Sequence, residues 1–247
     1  MHKIAILSDI HGNILALEKV VEDLLHRQVD TVINLGDHVS GPLWPKETVQ
    51  FLMKQNWIQI AGNHERQLLA QDPATHGPSD RFAYAAIDQT ERDWLHSLPT
   101  SLKTDDEILI FHGTPASDLT YLLETIHQGR VQLANRQEIL SRLGSVQSRM
   151  MACGHSHVPR LIQLADQTLI INPGSVGLPA YEDDYQERHI VETGSPCARY
   201  AILEKYQHHW VVDLISIPYE FEKAAERAQQ NNRPDWEMAL RTGFMNS

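Results

Sequence analysis

Apolar residues in this chain come in short blocks closed by glycine, proline or acidic positions. Residues 3–8 form the first block and predict a buried strand. Asn13 stands where an N-cap belongs, ahead of Leu17, Val20, Val21, Leu24 and Leu25 at helical spacing, with Glu18, Lys19, Glu22 and Asp23 on the other face. Residues 31–35 predict a second strand, so the chain begins β-α-β, and the crossover should be right-handed. A loop around Gly41, Pro42 and Pro45 precedes a helix at 47–54 and a third strand at 57–61. Residues 65–104 read as mostly helical and polar. Two more buried strands are expected at 108–111 and 150–153, separated by a mostly helical insertion over 119–143.

The second half changes pattern. Residues 161–164 and 169–171 predict a hairpin, and residues 200–203 and 211–215 predict another around a polar turn at 205–209. Residues 220–230 and 234–241 read as two helices, the second closed by Gly243. No repeat or linker interrupts the pattern. The expectation is one domain over 1–247, of class α/β, with two packed sheets and helices outside. Residues 1–177 would carry its core, and 178–247 would complete or cover it.

Charge and composition narrow the function. The chain has 32 Asp plus Glu against 21 Lys plus Arg, a formal net charge of -11. That sign repels a phosphate backbone at long range, which makes a nucleic-acid partner unlikely to be selected by bulk charge. No apolar run reaches the ~18 residues of a membrane span, and the first block meets Asp9 too early for a signal peptide. Two cysteines, Cys153 and Cys197, build no disulfide framework. A cytoplasmic protein without a membrane partner is expected. The unusual number is 14 histidines.

Their positions carry the chemistry. The five predicted core strands are followed in turn by Asp9-Ile10-His11, Gly36-Asp37, Gly62-Asn63-His64-Glu65, His112-Gly113 and Gly154-His155-Ser156-His157. In open α/β sheets the ligand site lies beyond the carboxyl ends of the strands, so these side chains can converge. Two Asp, one Asn and four His are too many donors for one ion beside a water and about right for two. Mixed imidazole and carboxylate donors favour Mn, with Fe or Zn as alternatives, over an all-oxygen Ca or Mg cage. A pair of such ions suits in-line displacement at phosphorus.

This series of motifs resembles the five-motif signature of the calcineurin-like metallophosphoesterases, and Asn172-Pro173-Gly174-Ser175-Val176-Gly177 is similar to their compact bacterial and archaeal branch. The resemblance implies a four-layer α/β/β/α sandwich. It also implies that Asp9, His11 and His157 hold one divalent transition-metal ion, that Asn63, His112 and His155 hold a second, and that Asp37 bridges them. His64 would stand off the metals as the catalytic residue. The implied activity is hydrolysis of small phosphodiesters or phosphomonoesters. Alternatives are a dinucleoside polyphosphate hydrolase, a phosphoprotein phosphatase, or a non-catalytic scaffold of the same fold. Homo-oligomerisation is left open.

One departure matters. Phosphoprotein phosphatases continue the second motif with an Asp supporting the catalytic His and then a phosphate-gripping Arg; this chain has Ser40 and Gly41. What orients His64 is therefore open. His38 could reach substrate or point away. His76, His96, His127 and His189 are expected at the surface, Glu182-Asp183-Asp184 in a solvated loop, Cys153 in the core, and Ser156 facing away from the ligands.

Overall fold

The computed structural model describes residues 2–70, 72–206 and 209–245. The chain runs β1 (Lys3–Leu7), α1 (Ile14–Arg27), β2 (Thr31–Asn34), α2 (Pro45–Leu52), β3 (Ile58–Gln59) and α3 (Asn63–Ala70). It continues through α4 (Pro78–Ala86), α5 (Gln89–Ser97), β4 (Ser101–Lys103), β5 (Ile108–Phe111), β6 (Glu124–His127), β7 (Arg130–Leu133) and α6 (Arg136–Leu143). Then come β8 (Met150–Ala152), β9 (Arg160–Gln163), β10 (Leu169–Asn172), β11 (Ala180–Asp183) and β12 (His189–Glu192). The long hairpin β13 (Ala198–Tyr206) and β14 (His209–Ile217) precedes α7 (Phe221–Gln230) and α8 (Pro234–Thr242). His208, in the turn expected between the last two strands, lies outside the described residues.

Two five-stranded sheets form the centre, ordered β14-β13-β1-β2-β3 and β4-β5-β8-β10-β9. Strands β1, β2 and β3 are parallel, as are β5, β8 and β10; the antiparallel pair β13–β14 extends the first sheet beyond β1, and β4 and β9 close the second on both edges. The period-2 alternation of β1 divides the core. Ile4 and Ile6 pack with Ile108, Ile110, Met150 and Ile171 between the sheets. Ala5 and Leu7 pack on the opposite face with Leu17, Val20 and Leu24 of α1. On the far side of the second sheet, Phe111, Met151, Cys153 and Ile170 pack with Leu122, Leu123 and Ile139. This is the α/β/β/α order, and it makes the parallel strands of both sheets end on the same side.

The insertion departs from the helical expectation. Residues 124–133 form the antiparallel hairpin β6–β7, and helix is confined to α6. Gln128 and Gly129 both have positive φ (51° and 70°), as a two-residue hairpin turn requires. The flanking Thr125, Ile126 and Val131 are β-branched and suit strands. This hairpin joins β11 and β12 in a third, four-stranded sheet, ordered β11-β12-β7-β6. The expected acidic loop is therefore partly strand, with Glu182 and Asp183 in β11.

His96 and His127 are exposed as expected. His76 and His189 are not: they are 2% and 1% exposed. The rim of His76 packs against Tyr84. His189 donates from Nδ1 to the Glu187 carbonyl and accepts from Tyr121 Oη at Nε2 (2.7 and 2.8 Å), which satisfies a buried imidazole. No helix among the described residues is long and apolar enough to cross a membrane.

Candidate metal centre

All the residues singled out at strand ends meet in one place. Asp9, His11 and His157 bring one ligand atom each within 4.8 Å of one another, and so do Asp37, His112 and His155. Asn63 joins the second triad, its Oδ1 lying 3.0 Å from His112 Nε2. The triads touch: Asp37 Oδ2 is 3.1 Å from His112 Nε2 and 4.0 Å from His11 Nε2. Asp9 Oδ1 likewise lies 3.3 Å from His157 Nε2 and 3.9 Å from His112 Nε2.

The backbone is contorted to achieve this. Asp9, His11, Asp37, His155 and His157 all have φ between 52° and 69°. The left-handed region costs a non-glycine residue roughly 1–3 kcal/mol, and such residues cluster at functional sites. Close approach is the companion device. A Cβ on Gly62 would run into the Asp37 carboxylate, and one on Gly154 into the Ser8 hydroxyl. The Asn172–Gly177 loop ties the strand ends together. Ser175 Oγ donates to the Asp9 carbonyl (2.7 Å), Val176 N to the Ser8 carbonyl (3.0 Å), and Asn172 Nδ2 to the Gly154 carbonyl (2.8 Å).

Carbonyl partners orient each imidazole. Nδ1–H of His11, His112 and His157 donates to the carbonyls of Ser40, Leu35 and Leu178 (2.8, 2.8 and 2.7 Å). Their Nε2 atoms are left facing inward. His155 is reversed, with Nε2–H on the Leu119 carbonyl (3.0 Å) and Nδ1 free. Outer hydrogen bonds of this kind fix the tautomer of metal-binding histidines.

The donors fit two divalent cations. His11 Nε2 and His157 Nε2 face each other at 3.1 Å with their protons already committed on Nδ1, and Asp9 Oδ1 is buried without a hydrogen-bond partner. Lone pairs converging in this way call for positive charge between them. The protonation states agree for Asp9, Asp37, His11 and His155; His112 departs, because burial opposes its charge but Asp37 outweighs burial and raises it to about 10. Burial opposes charge on Asp9, but His157 outweighs it and draws the carboxyl down to about 2. Burial likewise opposes charge on Asp37, yet His112 and His64 hold it well below the usual carboxylate range. Burial, reinforced by His157, lowers His11 to about 4, and burial with His112 lowers His155 to about 4. Ionised carboxylates and neutral imidazoles are the metal-binding forms.

His64 sits above this floor, 28% exposed, its ring 5.4 Å from that of His11. Its Nδ1 donates to Asp80 Oδ1 at 2.9 Å, and Ser40 Oγ donates to the same oxygen at 2.5 Å. Burial disfavours the imidazolium, but Asp37 and Asp80 prevail and raise His64 to about 9. The support for His64 that is absent from the second motif thus comes from α4. No spacing signal in the sequence marked Asp80. Glu65, which closes the third motif, takes a role that the motif did not specify: its buried carboxylate accepts from the backbone N–H of Asp37, His38 and Gly62 at 2.9, 2.9 and 2.8 Å. His38 lies behind the site, its Nδ1 3.1 Å from Glu65. Ser156 is buried and takes Asn172 Nδ2 at 3.0 Å, also away from the ligands.

The site opens into a cleft of about 700 Å³. His11, Asp37, Asn63, His64, His155 and His157 line its floor; Tyr181, Glu182, Arg188, Arg233 and Trp236 line its walls.

Residues 2–194 match the calcineurin-like phosphoesterase superfamily domain. The chain belongs to that superfamily. Among solved structures, a metallophosphoesterase from Sphaerobacter thermophilus superposes with a TM-score of 0.76 at 22% identity, covering 98% of this chain and 99% of that one. A hypothetical protein from Pyrococcus horikoshii OT3 gives 0.75 at 17% identity over the whole of both chains. An uncharacterized protein of Methanocaldococcus jannaschii is 24% identical over 94% of each chain. The two solved structures share the fold, including the part beyond residue 194.

Proposed function

We propose that this protein is a dinuclear-metal phosphoesterase acting on small phosphate esters. The observation that supports this best is the junction of two donor triads through Asp37, with His64 standing over them on a carboxylate from another helix. Divalent ions at such a site supply Lewis acidity toward water and toward phosphoryl oxygens. Mixed imidazole and carboxylate donors suit Mn, with Fe or Zn as alternatives. Asp9, His11 and His157 would hold one ion, Asn63, His112 and His155 the other, and Asp37 both. His64, its Nδ1 committed to Asp80, has Nε2 to hold or deliver a proton at the ester's leaving oxygen.

The cleft walls support a small ester of low charge. Gly41 stands where a phosphoprotein phosphatase carries its gripping arginine, and both arginines of the cleft are paired, Arg188 with Glu182 and Arg233 with Asp235. A phosphodiester monoanion loses less than a monoester dianion when no free guanidinium meets it. The net charge of -11 opposes long polyanions. The free cysteines suit the reducing cytoplasm, where we place the protein.

The test is elemental analysis for two transition-metal ions per chain, together with kcat/KM for an aryl phosphodiester, its matching monoester, a phosphoserine peptide and DNA on one Mn-loaded preparation. The diester should be hydrolysed at least as well as the monoester, and the peptide and DNA poorly. A metal-free protein, or a preference for the phosphopeptide, would overturn the reading.

A further inference from the structure

The wall built by α8 lies beyond the matched superfamily region, which ends at residue 194. It nevertheless reaches the metal centre. The Trp236 ring is 6.0 Å from that of His11, edge to face. It also occupies the space a side chain at position 41 would need: a Cβ on Gly41 would lie 2.5 Å from Trp236 Cη2 and 2.6 Å from the His11 carbonyl oxygen. The indole has therefore closed off the direction from which a second-motif arginine would enter.

A guanidinium stands beside it. Arg233 lies over Trp236, 5.5 Å from the ring centroid, with its side chain only 19% exposed. Asp235 takes Nε and Nη2 in a fork (2.9 and 2.7 Å), and Ser79 Oγ takes Nη1 (2.9 Å). Ser79 precedes Asp80, the support of His64, so the guanidinium is fixed in the cleft lining against the helix that orients His64. Of the five N–H groups of an arginine, those contacts use three, leaving one on each Nη. The other cleft arginine, Arg188, is 81% exposed on a turn and has no comparable fixing. Arg66 is held by Asp118 in a two-point contact (2.6 and 2.8 Å).

We propose that Arg233 is the specificity-determining residue of this site: its two remaining N–H groups bind a phosphoryl oxygen of the substrate, and Asp235 sets how much charge that group tolerates. The proposal rests on the phosphoesterase reading. A guanidinium already neutralised by a carboxylate is a fixed hydrogen-bond donor with little net charge, adequate for a monoanion and weak for a dianion. Releasing it from Asp235 should restore the attraction for the dianion.

The experiment compares the wild type with Asp235→Asn, Arg233→Met and Arg233→Lys, all metal-loaded. Calorimetric binding of inorganic phosphate and of dimethyl phosphate is measured at mildly alkaline pH, where the first is a dianion and the second a monoanion. Asp235→Asn should tighten inorganic phosphate by about 10-fold and change dimethyl phosphate by less than about 3-fold, the size expected for one charge-assisted contact. The monoester to diester ratio of kcat/KM should rise in parallel. Arg233→Met should weaken both probes and raise KM with little change in kcat, and Arg233→Lys should recover only part, since ammonium lacks the fork. Unchanged binding in Arg233→Met with only a lowered Tm would show a brace for α8 and overturn the proposal. If binding responds as stated while no ester is hydrolysed, the phosphoesterase reading falls and the assignment of Arg233 to phosphoryl binding stands.

Discussion

Asp80 Oδ1 accepts a hydrogen bond from His64 Nδ1 at 2.9 Å and another from Ser40 Oγ at 2.5 Å. Three separate segments meet at one carboxylate oxygen: the loop after β2, the start of α3, and the first turn of α4. The same Ser40 also receives His11 Nδ1–H on its carbonyl. Asp80 therefore couples the orientation of His64 to the loop that orients a proposed metal ligand.

From this coupling, Asp80→Asn should lower kcat by about 10–100-fold, because the amide oxygen can still accept from Nδ1 but the negative charge that favours the imidazolium is gone. Metal content should stay at the wild-type value. Ser40→Ala, which removes a neutral donor and leaves the His64 contact, should cost less. Wild-type kcat in Asp80→Asn would sink this account.

His64 itself should be dispensable for metal binding. His64→Asn is expected to lower kcat by roughly 10²–10⁴ with both ions retained, as judged by elemental analysis. Loss of metal in this variant would transfer His64 to the ligand set.

Asp37 Oδ2 reaches one ring of each triad, at 3.1 and 4.0 Å, whereas His157 belongs to one triad. Asp37→Ala should therefore lose both ions, and His157→Ala chiefly one. Equal metal content in the two variants would remove Asp37 from the bridging role.

Glu65 predicts a stability effect distinct from catalysis. Glu65→Gln keeps one oxygen and places an amide NH₂ against the donors of the other, either the N–H groups of Asp37 and Gly62 on Oε2 or that of His38 on Oε1. Leaving buried donors unmatched and removing charge assistance should cost about 2–4 kcal/mol, a fall in Tm on the order of 10 °C for a chain of this size. Calorimetry that finds the variant within about 1 °C of wild type would contradict the argument.

Sequence alone determined the strands that carry the site and the kinds of donor that follow them. A buried strand is a local signal, readable from Lys3–Leu7 or Ile108–Phe111 as an apolar run, and the residue after it needs no tertiary information to be named. Parallel strands then bring such residues to one end of the sheets, which is why Asp9, His11, Asp37, Asn63, His112, His155 and His157 could be gathered from positions 148 residues apart at the extremes. The insertion was misread because its turn, Gln128-Gly129, is a two-residue event inside a stretch whose average composition is helical. What no local pattern carries is the pairing of side chains from elements that meet only after folding. Asp80 sits in the first turn of an ordinary polar helix, Arg233 and Trp236 open another, and His76 and His189 look like any surface histidine. Their roles depend on which helix packs over which loop, and that is decided by the summed burial of whole faces rather than by the residues themselves.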